Sequence, residues 1–497
     1  MAMRKIAILA VCGVAVVTGS VFPQPRWGDI EAFREEQLQR LEQFRSAKQR
    51  EMVEFRDSLN EAYARFLEEK WESFNLYREE RGFRPMPKPP VYDPSLPQPG
   101  DEPPTVVVDV PPVPAADTVP MPDFKPVNPE PKATVTAEFF GTQVRLQQVE
   151  KTHIGRLVGV SESNVADFWG KLSKLPVETI ASDLQRTGSA LRLNDYGLFL
   201  LARELAATYI PGASENERVV FSAFMLNQVG LSAKIGRSGG DLYALLAARQ
   251  ELSNTSYFTF RGSNADPGRR YYVINLRHSR LTEIQTCAAQ YGDGGTPLDF
   301  AVTATPQLAY AAGSQQLQFG GTGYVVGYNR NLVNYFSTYP CVDFAIYGTA
   351  PVDSRMIGDL RRQLSPHIAG KPQDEAVNHL LHFVQNAFRY KTDQDQYGYE
   401  KWNFAEETLV SAYCDCDDRA IFFAQLVRNL LGLETVLVNY PGIHLAAAVR
   451  FTDGSLTGGT YVTVDGSRFY ICDPTYINAD AGMAMPGVGD TVEIVEL

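Results

Sequence analysis

Surplus positive charge is what this 497-residue chain most plainly lacks: 46 Lys and Arg stand against 58 Asp and Glu, a net charge of −12. Binding a phosphate backbone needs a basic face, so no nucleic acid is expected as a partner. No polybasic cluster offers a site for anionic lipid either. Long apolar runs are scarce too. The run at residues 6–17 is short for a bilayer span, and no second run is longer, so the mature chain is expected to be soluble, or peripheral to a membrane at most. Cysteine is sparse, with six residues at 12, 287, 341, 414, 416 and 472. No calcium-site pattern and no cofactor motif stands out, so no cofactor is expected.

What is present begins with an export signal over residues 1–22. Arg4 and Lys5 precede the apolar run, and Thr18, Gly19 and Ser20 follow it at a plausible cleavage point. The protein is therefore expected to be exported: periplasmic, at the cell surface or secreted. Cys12, in Leu9-Ala10-Val11-Cys12, loosely fits a lipoprotein box, although Val11 is large for that position. Export permits disulfides, and losing Cys12 with the signal leaves an odd number of cysteines, hence at least one free thiol.

Residues 30–77 contain no Pro or Gly and are rich in Glu, Arg, Gln and Leu, which predicts one long amphipathic helix within 25–83. Phe33, Phe44, Phe55, Phe66 and Tyr77 recur every eleven residues, and Leu41, Met52, Tyr63 and Phe74 hold a second fixed place in the period. Eleven residues make three helical turns, so both sets share one aromatic stripe. The stripe is expected to dock on the protein's own later domains, or to bind a protein partner or a second copy. A Pro-rich stretch, 84–132, then reads as a semi-rigid linker. From 133 the composition turns globular. Helical patterns lie at 165–175, 196–208 and 219–229, with strand-like runs at 257–260 and 271–275. Residues 281–355, with runs at 298–303, 324–327 and 342–346, read as a β-rich domain. Helix returns at 374–388, and 356–497 form the last domain.

The chemistry concentrates there. Tyr413-Cys414-Asp415-Cys416-Asp417-Asp418-Arg419-Ala420 opens a helix that ends at Gly432. At such a start the exposed N–H groups and dipole favour a thiolate at Cys416 and can hold an oxyanion. A strand at 435–439, the Pro441-Gly442 turn, His444 on a second strand, a third strand from Tyr461, the Asp465-Gly466 turn and a fourth strand ending in Asp473-Pro474-Thr475 complete the pattern. Antiparallel neighbours bring His444 and Asp473 side by side, giving nucleophile, base and orienting carboxylate. Two other readings of the cysteines exist: a zinc site from Cys414, Cys416, His444 and Cys472, against which the one-residue Cys-x-Cys gap argues, and redox exchange at Cys414–Cys416, which lacks the usual two-residue gap. Bridges Cys414–Cys472 and Cys287–Cys341 would leave Cys416 free.

Over about 376–486, through the Cys-Asp-Asp-Arg-Ala helix start, the His444 strand and Asp473-Pro474-Thr475, the sequence resembles the transglutaminase-like superfamily of papain-type cysteine enzymes. The resemblance implies an α+β fold, a nucleophile helix packed on an antiparallel sheet, with Cys416, His444 and Asp473 as the catalytic triad. Ala446, where relatives often carry an aromatic, and Asp415, where many have Gly-Asp or Gly-Gln, depart from the pattern. Trp402 is a weak candidate for oxyanion support. The expected activity is that of an exported cysteine peptidase or amidase acting on a protein or peptide substrate through a thioester. The alternatives are a crosslinking or amine-transferring transglutaminase, and a non-catalytic binding scaffold.

Earlier in the chain, 215–221 aligns with 416–422 and 270–275 with 468–473. Residues 133–280 are thus a candidate degenerate transglutaminase-like domain, with Glu215 for Cys416, Asn275 for Asp473 and no His near 240–243.

Overall fold

The computed structural model describes residues 27–69, 71–83, 88–94, 106–107, 134–148, 154–261, 268–276, 281–292, 294–489 and 491–497. The export signal at 1–22, Cys12 and most of the linker at 84–132 lie outside them. None of the described helices is long and apolar enough to cross a membrane.

The chain divides after residue 58 into two units. The first holds most of the helix Trp27–Glu68. Its stripe residues Phe44, Met52 and Phe55 are 61%, 73% and 64% exposed. In the second unit the stripe is covered in part: Tyr63 is buried, edge-on to Trp169 and Tyr291, whereas Phe66 is 43% exposed.

The helix stops at Glu68, short of the expected residue 77. Tertiary pairing overrides local propensity here. Glu72–Asn75 pairs with Glu283–Thr286, Tyr77–Arg78 pairs with Ser256–Phe260, and Phe74 packs on Phe258 and Phe260. These two strands are the opposite edges of an antiparallel sheet of order Glu72–Asn75, Glu283–Thr286, Ala233–Ser238, Asp241–Ala247, Arg269–Ile274, Ser256–Phe260, Tyr77–Arg78. Only Leu76 separates the two edges in sequence, so the sheet curls until they meet and closes as a barrel. Its interior is filled by Tyr243, Leu245, Phe258, Phe260, Tyr271 and Val273.

The second sheet runs Glu493–Glu496, Thr435–Tyr440, His444–Val449, Ser467–Cys472, Tyr461–Val464, Val106–Val107, antiparallel except for the last pair. Asp465 and Gly466 both take positive φ, 47° and 72°, the geometry expected of an Asp-Gly hairpin turn. Both faces of His444–Val449 are buried. Leu445, Ala447 and Val449 join the core that includes the helix Cys416–Leu426, whereas Ala446 and Ala448 join the opposite cluster.

The five central strands of the two sheets share one order: a late strand, then first, second, fourth and third after a helix. Ala244 faces Ile274 in the first sheet as Ala447 faces Cys472 in the second, and Tyr257 faces Tyr272 as Tyr461 faces Tyr470. With the helix starts Glu215 and Cys416 aligned, this register sets Glu215, Asp241 and Asn275 against Cys416, His444 and Asp473.

Residues 281–355, read from sequence as a β-rich domain, are divided differently. Glu283–Thr286 belongs to the first sheet, and Ala312–Phe319 with Thr322–Asn329 forms a hairpin packed on the helices Ser354–Ile368 and Gln373–Ala387. The run at 298–303 forms no strand, only a bridge between Leu298 and Ala248, and 344–349 is helical. Asp343 caps that helix through the Ala345 N–H, a local bond that outweighs the β propensity of the run.

Tyr63→Ala should destabilise the second unit by about 3–4 kcal/mol, through lost burial and ring contacts. Phe55→Ala should stay within about 0.5 kcal/mol of wild type. Urea unfolding of the two variants checks both.

Candidate active site

Cys416 is the first residue of the helix Cys416–Leu426, and Asp415 is its N-cap, contributing no side-chain cap bond. The helix start is held by Arg419, which is 1% exposed. Its guanidinium donates to the carbonyls of Gln385 (3.3 Å), Phe388 (2.8 Å) and Pro474 (3.3 Å). Gln385 in turn donates to the Asp473 carbonyl at 3.1 Å and accepts from the Asn478 N–H at 2.9 Å. The two residues clamp the Asp473-Pro474-Thr475 turn against the helix Cys416–Leu426.

His444 Nε2 lies 2.8 Å from Asp473 Oδ2, with both side chains buried. The other Asp473 oxygen accepts from the N–H groups of Thr475 (2.9 Å) and Tyr476 (3.2 Å). A carboxylate so engaged leaves Nε2 as the protonated ring nitrogen and Nδ1 as the basic one. Nδ1 is buried and makes no hydrogen bond. The structure thus joins two of the three predicted residues directly, His444 and Asp473, while thiol and imidazole are not hydrogen-bonded to each other.

Cys416 meets the Leu445 backbone N–H, which favours its thiolate. Burial works the other way, and with the charge of Asp415 it pushes the thiol well above its ordinary value. The helix start alone therefore does not produce the thiolate expected from sequence. The opposing charges are carboxylates that the sequence reading treated only as a polar helix start. Asp393, Asp415, Asp417 and Asp418 are all buried. Burial, then the charges of Asp415 and Asp418, push Asp393 up to about 10. Burial, then Asp415, push Glu400 up to about 7. The visible signal was the Asp-Cys-Asp-Asp run itself, but a sequence cannot show that all its carboxylates turn inward.

The remaining cysteine readings change. All five described cysteines are free thiols, so neither Cys414–Cys472 nor Cys287–Cys341 is bridged. Cys414 Sγ instead donates to the Arg389 carbonyl, and Cys472 Sγ to the Tyr470 carbonyl. Among the described residues, the groups of three or more metal-capable side chains are Asp415, Cys416, Asp417 and Asp393, Asp415, Asp418. The zinc set with Cys414, His444 and Cys472 does not converge. Trp402 is buried, stacked on Phe344 at 3.9 Å and bonded to Glu400, which makes it a packing residue.

In the first half the matching positions are built differently. Glu215 pairs with Arg203 at 2.9 Å. Asn216, the next helical residue, accepts the Leu242 N–H at 3.0 Å and donates to the Gly240 carbonyl at 3.1 Å. Leu242 is the register counterpart of Leu445, whose N–H meets Cys416 instead. No family model, no curated protein and no solved structure matches the chain.

Glu406, in the helix Ala405–Val410 just before the nucleophile helix, is fully buried, and burial pushes its carboxyl up to about 7. A folded-state value above the ordinary 4.5 means that its stability contribution is complete below pH 4.5 and is lost as pH rises through 7. The loss is roughly 3 kcal/mol. Glu406→Gln should flatten that decline and stabilise the protein at pH 8, as read by thermal unfolding across pH 4–8.

Proposed function

We propose that the C-terminal half is a transglutaminase-like cysteine enzyme that cleaves peptide or isopeptide amide bonds by acyl transfer. The observation that carries this reading is the buried His444–Asp473 pair at 2.8 Å. It leaves a basic Nδ1 without a partner, on the strand whose next N–H addresses Cys416 at a helix start. A satisfied core histidine would have both ring nitrogens engaged.

In this reaction Cys416 Sγ attacks the substrate carbonyl carbon while its proton passes to His444 Nδ1. The raised thiol makes concerted proton removal necessary, since little free thiolate is present at neutral pH. Helix-start N–H groups receive the negative oxygen. The C–N bond then breaks, Nδ1–H protonates the leaving amine, and a thioester remains on Cys416. Water, activated by the same Nδ1, releases the acid; an amine in its place would give a transamidated product. Asp473 keeps Nε2 protonated and the ring oriented throughout. Thiol and imidazole have to close on each other when substrate binds, because they are not bonded in the resting arrangement. The first half, with a Glu–Arg pair at the nucleophile position, has no thiol for this reaction and serves as a packing or substrate-binding domain. The export signal expected over residues 1–22 supports a site of action outside the cytoplasm.

Peptide-library hydrolysis with and without an amine acceptor tests the reading, alongside mass spectrometry for a thioester on Cys416. Cys416→Ala should abolish turnover, His444→Ala should lower it at least about 10³-fold, and Asp473→Asn about 10²–10⁴-fold. All variants should keep wild-type circular dichroism. Turnover unchanged in Cys416→Ala would overturn the proposal, and peptide binding without any cleavage by wild type would favour a scaffold.

A further inference from the structure

The hairpin of Ala312–Phe319 and Thr322–Asn329 has two edges, and they are finished differently. Phe319 faces Thr322 across the Gly320-Gly321 turn, with both glycines at positive φ, 56° and 76°. A two-residue turn of this kind makes Phe319 and Thr322 a hydrogen-bonded pair, as is every second pair beyond them. The backbone groups of Gly323, Val325 and Gly327 therefore point outward on one edge, and those of Ala312, Ser314, Gln316 and Gln318 on the other.

The first edge is sealed by the helix Ser354–Ile368. Gln363 accepts from the Val325 N–H at 3.0 Å and donates to the Val325 carbonyl at 2.8 Å, and Asp359 accepts from the Gly327 N–H at 2.9 Å. The second edge has no such cover. Among the described residues, the N–H and C=O groups of Ala312, Ser314, Gln316 and Gln318 have no hydrogen-bond partner, and all four residues are exposed. Nor is this edge defended: open edges are ordinarily blunted by Lys, Pro or an inward charge, and Ala312–Phe319 contains neither charge nor proline. It is held firmly from beneath. Leu317 is buried, and Phe319 stands edge-on to His379 and Phe383 at 5.4 and 5.8 Å. Both partners lie on the helix Gln373–Ala387, whose Gln385 holds the turn at Asp473.

Donors and acceptors alternating about 6.8 Å apart complement one ligand class, the backbone of an extended polypeptide. The exposed side chains along the edge, Ser314, Gln316 and Gln318, are neutral and polar, and suit neutral polar side chains across the strand pair. A second copy of the chain would bring its own charge of −12. The chain's own linker, 84–132, is dense in prolines, which lack the N–H that an added strand must donate.

We propose that Ala312–Phe319 receives an extended stretch of a protein substrate as an added strand. The strand addition is independent of the acyl-transfer reading; that its occupant is substrate rests on that reading. Full-length Cys416→Ala protein would be mixed with a capped peptide of alternating Thr and Gln, and amide hydrogen exchange followed along the hairpin. The amides of Ala312, Ser314, Gln316 and Gln318 should slow about threefold or more, while the ladder amides between them stay unchanged. The same peptide N-methylated at every residue should slow none of them. Gln316→Pro should remove the effect without dissolving the hairpin, because that N–H serves no ladder bond. In protein that retains Cys416, Gln316→Pro should raise KM for an unfolded protein about tenfold and leave short-peptide turnover unchanged. No slowing with the peptide, or equal slowing with its N-methylated form, would overturn the proposal. So would amides already slow in the free protein, which would assign the edge to the linker, and slowing that follows protein concentration alone, which would assign it to a second copy. An unchanged KM beside a bound peptide would overturn the assignment to substrate.

Discussion

A single buried guanidinium organises the C-terminal half. Arg419 reaches the end of one helix, the segment after it and the turn following Asp473. Those pieces come from residues 385–388 and 474, which local structure alone would leave apart. Arg419 fixes position through these carbonyls, and its charge also acts on the neighbouring Asp415. The first half uses Arg218, at the matching helical position, in a related way, donating to the Arg203 carbonyl at 3.1 Å. There the residue also pairs with Glu204.

The register between the two halves shows how small changes convert a similar frame to different uses. The N–H after the second strand's first residue is taken by Asn216 in one half and meets Cys416 in the other. Moving that donor from the second helical residue to the first frees the second position, and Asp417 occupies it, facing Asp415. A thiol at the first position and a carboxylate at the second thus belong to one alternative arrangement of the same corner.

Much of this was legible in the sequence where local rules govern. The Asp465-Gly466 turn, the helix 416–426, the four strands after it and the meeting of His444 with Asp473 all follow from alternation, turn chemistry and helix termini. What was not legible depends on distant partners. The stretch 71–78 is as helix-prone as the residues before it, yet Glu72–Asn75 and Tyr77–Arg78 become strands because Glu283–Thr286 and Ser256–Phe260 leave edges to fill. Cysteine pairing could not be read because chain separation says nothing about whether two thiols face each other. The inward turn of Asp393 and Glu400 was invisible for the same reason: nothing in residues 390–400 encodes the helix start they surround.

The closing strand of the first barrel has a mechanical corollary. Glu72–Arg78 is the piece of that sheet contributed from the N-terminal side of the linker, and it is hydrogen-bonded to a neighbour along each flank. It acts as a zip fastener behind an anchor: a load on the preceding chain would meet the buried Tyr63, Leu67 and Trp71 first, and then this short seam. Releasing it would open the barrel and bare two strand edges together, Glu283–Thr286 and Ser256–Phe260, each with unpaired backbone groups. The barrel's solubility is thereby tied to the retention of seven residues that lie far from it in sequence.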